Sequence, residues 1–483
     1  MDYSQFGAMV PELIILGLFF IVFIFDTFAN GPKKWLTPMT AVLFGIATVA
    51  IWIIPSSGVE AFAGMYVDNT ACKAMKAILN VGVFIVILQS SKWALSEEIA
   101  IRRGEFYELL LVTLFGMYLM ISARHFLIFI IGLEAASLPL AALVAFNKHQ
   151  YESHEAAIKY ILTAVFSSAI LLMGLSLVYA FSGNGSLYFD DIRAAITGVN
   201  PSGLLIAAVA FVIAGIGFKL SLVPFHLWTA DVYEGAPTAI TGYLSVISKG
   251  AAAFAFFVIF VQAFGPLYEG MWEWMMYAVI IATITVGNLF AIRQKNMKRF
   301  MAFSSISQAG YIMLGVMTES SLGLASMMYY IFVYVVSNLA VFSVISAVEN
   351  KTGKVGMTDY DGLHKTNPWL SFAMTLAMFS LAGIPPFAGF FSKILIFTSV
   401  TASNSMALYM LVLIALINTI VSLYYYLLVV KAIWINPGEA KVEQFRSSCG
   451  ERMALWICVA GIVFFGIVPC IYQYCVNAAL PMF

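Results

Sequence analysis

Apolar runs of bilayer length, separated by short polar stretches, recur from one end of the chain to the other. A spanning helix takes roughly 20 apolar residues. The pattern predicts fourteen such spans: 9–28, 38–54, 74–94, 105–122, 126–146, 155–181, 203–232, 238–264, 271–292, 299–317, 322–348, 369–398, 405–432 and 453–479, with breaks inside the seventh and twelfth. The runs are continuous and lack the two-residue alternation of barrel strands. Backbone groups in lipid must pair within their own segment, so the runs predict helices. The linkers leave no room for a soluble domain. The expected fold class is an all-α polytopic membrane protein, one domain over 1–483: three leading helices in 1–104, five in 105–264, five in 271–432 and a last one over 453–479. Residues 9–28 read as a retained helix, because no basic stretch precedes them and no small-residue cleavage site follows.

The two breaks have a physical cause. Pro224, in the seventh span, removes a helix hydrogen bond and its ring clashes with the preceding turn. Gly383, Pro385, Pro386 and Gly389 interrupt the twelfth span in the same way. Broken helices at membrane depth persist where their freed backbone groups face protein or a water-filled cavity, and in transporters they mark the ion path. Lys219 precedes Pro224 by five residues, whereas Lys393 follows Pro386 by seven. The breaks lie five helices apart, in segments that cross the membrane in opposite directions. The pattern predicts an inverted repeat, helices 4–8 matching helices 9–13.

Charge then changes the picture from fold to function. The chain is 62% hydrophobic and 10% charged, with a formal net charge of zero, so no nucleic-acid partner is expected. With the N-terminus placed outside, most of the 25 Lys and Arg fall on the opposite loops. Lys33, Lys34, Arg102, Arg103, Arg293, Lys295, Lys298 and Arg299 are among them. The outer loops receive only Lys73, Lys76, Arg124 and Arg193. This positive-inside bias predicts both termini outside.

Four lysines, Lys159, Lys219, Lys249 and Lys393, and one acid, Glu134, fall within the apolar stretches themselves. A charge at bilayer depth costs at least a few kcal/mol on the mildest scale, about 2.5–3.5, and such residues mark substrate or ion pathways by default. A carboxyl alone in an apolar medium favours its neutral form, and a nearby ammonium holds it ionised. Lys219 is the expected partner of Glu134. Lysine can surrender its charge on burial where arginine cannot, and none of these residues is arginine. Lys159, close to a span end, reads equally as a lysine snorkelling to the surface. His226, just after the first break, reads equally as a proton shuttle or as a cap for the broken helix. His125 reads as a structural residue at the outer end of the fifth span. Ser304, Ser305, Ser307 and Gln308 share much of one side of the tenth span, to hold water beside the lysines or to join helices.

Five cysteines (Cys72, Cys449, Cys458, Cys470, Cys475) have no metal-ligand spacing. There is no phosphate loop, no dinucleotide fingerprint and no cysteine cluster for an iron–sulfur centre. No cofactor is expected in this chain. Its driving energy must come from an ion gradient or a partner.

The stretches GFKLSLVPFHLWTADVYEGAPT, GLEAASLPL, MKRFMAFSSISQAGY and SLAGIPPFAGFFSK together resemble the antiporter-like membrane subunits of respiratory complex I. The resemblance runs over nearly the whole chain. It implies fourteen helices in two inverted repeats, proton movement through linked half-channels, and a place in a bacterial inner membrane with both termini periplasmic. It implies partners in neighbouring antiporter-like and small membrane subunits of a NADH–quinone oxidoreductase, whose other subunits carry NADH, FMN, iron–sulfur clusters and quinone. Residue by residue, it implies that Glu134 modulates Lys219, that Lys249 is the central lysine, that Lys393 serves the exit and that Lys159 is a further lysine of the sixth helix. Lys393 departs from the M-type branch of the family, which has glutamate there. Ala230 replaces a proline frequent in this loop, and Gln308 stands where many members have histidine. The alternative implied by the same likeness is a subunit of an Mrp-type sodium/proton antiporter.

Overall fold

The computed structural model describes every residue except 1, 2, 30, 32, 183, 184, 201 and 437–439. Among the described residues, thirteen helices are long and apolar enough to cross a membrane. The expected twelfth span is instead two shorter apolar helices, Pro368–Ala382 and Ala388–Thr401, placed in sequence between the eleventh and thirteenth.

The centre of the bundle is the helix Ser321–Thr352, buried along its whole apolar window, as is Met297–Thr318. It packs against Thr70–Gln89, both halves of the twelfth span, and Cys449–Ile467. Peripheral helices leave Phe20, Ile24, Ile46, Leu162, Phe166 and Ile420 outward, which suits a lipid solvent. The fourth and fifth spans, Glu97–Ser122 and Phe126–Val144, touch backbone to backbone. A Cβ on Gly132 would meet the Gly116 carbonyl oxygen and the Met120 nitrogen, each at 2.7 Å. Small residues at helix interfaces allow such approach in membranes.

Both breaks fall where the prolines and glycines put them. Gly203–Leu220 ends at Ser221, whose φ of 59° is left-handed, and helix resumes at Leu227–Gly235. The freed groups find partners: Val223 N–H donates to Thr283 Oγ1 at 2.9 Å and Trp228 Nε1 to the Phe218 carbonyl at 3.1 Å. In the second break Gly383 takes φ 86°, a conformation that glycine adopts at little cost.

Three features differ from the sequence reading. Residues 453–479 are two helices, Cys449–Ile467 and Cys470–Ala479, because Pro469 cannot continue the first. A two-residue antiparallel ribbon, Glu60–Ala61 with Tyr66–Val67, folds in the loop after the second span. The third span begins earlier than expected, at Thr70, where Asn69 caps it by accepting from Cys72 N–H at 2.7 Å. Lys76 is therefore no loop residue. It is fully buried and ion-paired with Glu12 at 2.6 Å.

Candidate functional site

Lys219, Lys249 and Lys393 lie inside the bundle, 7%, 2% and 5% exposed. Each places its nitrogen on neutral oxygen atoms. Lys219 sits in the last turn before the first break. Its Nζ donates to Ser137 Oγ and, at 3.2 Å, to Tyr160 Oη. Ser137 follows Glu134 by one turn on the fifth span, so the two share a face. Glu134 is half-buried rather than buried, and its Oε1 accepts from Ser168 Oγ at 2.6 Å. Glu134 and Lys219 form no ion pair among the described residues. Lys219 reaches the Glu134 helix at Ser137, one turn away from the carboxylate.

From Lys219 an aromatic series leads towards Lys249. The Tyr160 ring packs on Trp228 at 5.3 Å between centroids, and Trp228 on Tyr233 at 6.3 Å. Lys249 Nζ lies 5.5 Å from the Tyr233 centroid. A π-helical segment, Leu244–Ser248, runs directly into Lys249. Such local widening is frequent at functional sites. Lys249 Nζ donates to Ser305 Oγ on the tenth span at 2.8 Å.

The tenth span carries the connection onward. Ser304 Oγ and Gln308 Nε2 both bond Tyr426 Oη, at 2.6 and 3.1 Å, and Gln308 Oε1 accepts from Tyr330 Oη. Gln308, Tyr330 and Lys393 line one cavity of about 10 Å³, roughly the space of a single water. Lys393 Nζ donates to the carbonyls of Leu381 and Ala382 at 2.9 and 3.0 Å, the last helical carbonyls before the second break. It thereby satisfies the backbone that the break exposes.

Lys159 does not belong to this interior. Its side chain is 42% exposed and paired at 2.7 Å with both Glu155 and Asp231. The third-turn position lets the long side chain reach acids near the helix end. Arg299 joins the same cluster through Asp231 at 2.8 Å and Glu234 at 2.7 Å. His226 opens the Leu227–Gly235 helix without a side-chain cap, and its Nδ1 is buried with no partner among the described residues. His125 is structural: Nδ1 accepts from Leu127 N–H at 3.0 Å and the ring meets Tyr188 edge-on at 4.6 Å. Burial holds its imidazole below the ordinary pKa.

Sequence reading missed Ser137, Tyr160, Ser168, Tyr233 and Tyr330. A lone hydroxyl in an apolar helix carries no signal until the facing helix is known. It also missed a polar cavity of about 380 Å³ at the start of the eighth span, lined in part by Thr238, Lys298, Ser346 and Glu349. Lys298 pairs with Glu349 there at 3.3 Å. From that cavity Thr238, Thr241 and Ser245 step towards Lys249 at helical spacing, a signal that was present in the sequence. No group of His, Cys, Asp or Glu among the described residues could hold a metal ion.

A family model described as NADH:quinone oxidoreductase/Mrp antiporter, TM, matches residues 123–419. The chain is 50% identical to the NADH-quinone oxidoreductase subunit N of Phocaeicola vulgatus, over 99% of this chain and 100% of that protein. It is 48% identical to subunit N of Azobacteroides pseudotrichonymphae, over 98% of each. In three dimensions it resembles a chain of respiratory complex I from Thermus thermophilus, with 28% identity and a TM-score of 0.79 over 95% of this chain and 98% of that one. A chain of the Mrp complex from Dietzia sp. shares the fold at 19% identity, with a TM-score of 0.83 over 99% and 97% of the two chains.

Proposed function

Because the chain belongs to the NADH-quinone oxidoreductase subunit N family, we propose that it moves protons across a membrane along Glu134, Lys219, Lys249 and Lys393, driven by quinone reduction in neighbouring subunits. Protons enter from the cavity at Thr238, Lys298 and Glu349 and pass the Thr241 and Ser245 hydroxyls to Lys249. Glu134 biases the charge on Lys219 through the Ser137 turn. Lys249 exchanges with Lys393 along Ser305, Ser304, Tyr426 and Gln308, and Lys393 releases outward. His226, its Nδ1 unpartnered, is placed to exchange a proton beside the first break. Lys159 holds the inner end of the relay in register through Asp231 and takes no proton.

The single observation that carries this reading is that three buried amines sit on neutral oxygens, with the Ser305, Ser304, Tyr426 and Gln308 side chains lying between the Lys249 and Lys393 ends. NADH, FMN, iron–sulfur clusters and quinone belong, in this reading, to the other subunits of the assembly. Both termini lie on the periplasmic side of a bacterial inner membrane, and the two halved helices are the matching members of an inverted repeat. The identity to subunit N relatives over the full length favours this over the sodium/proton antiporter.

The test is Lys219→Ala in the reconstituted complex. It should abolish the proton translocation due to this subunit and leave assembly intact. Glu134→Gln should impair it too, and Glu134→Asp less. Wild-type pumping by the assembled Lys219→Ala complex would sink the relay.

A further inference from the structure

The first three spans hold a second set of buried charges that the relay leaves unused. Glu12 and Lys76, on the first and third spans, are both fully buried and lie 2.6 Å apart. Lys76 Nζ also donates to Tyr66 Oη at 2.9 Å and sits over the rings of Tyr66 and Tyr118, at 5.2 and 5.7 Å. Apart from this ion pair no donor reaches the Glu12 carboxylate among the described residues. As a fold device that arrangement is weak. A buried ion pair repays its desolvation only when its remaining lone pairs are satisfied, and apolar residues of similar volume frequently serve as well or better.

Polar groups lead away from the pair in two directions. Towards the surface that carries the first span's N-terminus lies Asp68, 4% exposed. Its Oδ2 accepts from Ser57 N–H at 2.6 Å and Ser57 Oγ at 2.9 Å, while Oδ1 is buried without a partner. Asp68, Lys73, Ser57 and Pro11, the residue before Glu12, line one cavity of about 30 Å³. Towards the bundle centre lies Asn80, one turn beyond Lys76, with both amide atoms buried and unpartnered. Its neighbour Leu79 lies 3.0 Å from where a Cβ on Gly250 would sit, directly beside Lys249.

We propose that Glu12 and Lys76 form a proton-exchange site on the outer side of this subunit, on a helix whose Leu79 packs beside Gly250 of the Lys249 helix. In the exchange a Lys76 N–H bond breaks and a Glu12 O–H bond forms, turning ammonium and carboxylate into amine and acid. The acid passes its proton outward by way of Asp68, and the amine takes its replacement from the Asn80 side. This rests on the reading that the chain moves protons.

The experiment compares two variants in the reconstituted complex, with quinone reduction and proton translocation followed together. Lys76→Arg keeps the ion pair but cannot give up its proton. Glu12→Leu combined with Lys76→Met removes both charges at similar volume. The expected result is that both complexes assemble and reduce quinone, and both lose protons translocated per electron. A wild-type ratio in either assembled variant overturns the proposal. So does failure of both to assemble, which makes the pair a structural tie. Lys219→Ala, measured alongside, separates the two ideas. An unchanged ratio there defeats the relay, whatever the Glu12 and Lys76 variants do.

Discussion

Lys249 donates to Ser305 across the boundary between the two halves of the chain, at 2.8 Å. By the division expected from the sequence, the eighth span ends the first set of five helices and the tenth belongs to the second. In the proposed relay this contact joins the entrance side to the exit side. Ser305→Ala should leave assembly intact and slow proton translocation, because Lys249 loses its oxygen. Removing one such bond shifts stability by only about 1 kcal/mol. Ser305→Thr keeps the hydroxyl and should restore the rate. Equal translocation by the alanine and threonine variants in proteoliposomes would show that the hydroxyl carries nothing.

Ser137 stands between Glu134 and Lys219. If Glu134 acts through that turn, Ser137→Ala should reproduce most of the Glu134→Gln defect, and combining the two should add little. Residues in one network are non-additive by about 0.5–3 kcal/mol. Fully additive losses in translocation rate would mean that the two side chains work independently.

Gln308 and Tyr426 offer the connection between Ser304 and the cavity of Lys393. Tyr426→Phe removes one hydroxyl that serves two partners. Translocation should fall while quinone reduction continues. Gln308→His supplies a titratable group at the same place and should preserve translocation. A wild-type rate in Tyr426→Phe would route the proton elsewhere.

Glu319, in the turn between the tenth and eleventh spans, has its carboxyl pushed up to about 7 by burial, against the opposing charge of Arg193. The folded state thus binds this proton more tightly than the unfolded one, whose value is near 4.5. That stabilisation is complete below the unfolded value and is lost as pH rises through about 7. Wild-type complex should therefore lose more thermal stability between slightly acidic and slightly alkaline buffer than Glu319→Gln does. Identical pH profiles in thermal unfolding would contradict this.

The architecture was readable because bilayer-length apolar runs have few other solutions. Pro224 and the Gly383–Pro386 group located both breaks for the same reason: backbone chemistry is local. Lys219, Lys249 and Lys393 stood out because charge in an apolar run has no bland setting. What stayed hidden depended on neighbours distant in sequence. Lys76 looked like an outer-loop residue until Asn69 was seen to cap its helix and Glu12 to face it. Lys159 reads equally as a relay lysine or one snorkelling to the surface, and only Asp231, arriving from beyond the first break, separates the two. Tyr160 and Ser168 became polar landmarks only once the sixth span lay beside the fifth and seventh.

Gly116 and Gly132 let the fourth and fifth helices meet with no side chain between their backbones. Two rods pressed together this way have no slack for sliding, since packed interfaces jump between arrangements rather than deform gradually. Any mechanical signal reaching Glu134 must therefore carry both helices as one lever. The interruptions of helix lie elsewhere, in the seventh and twelfth segments.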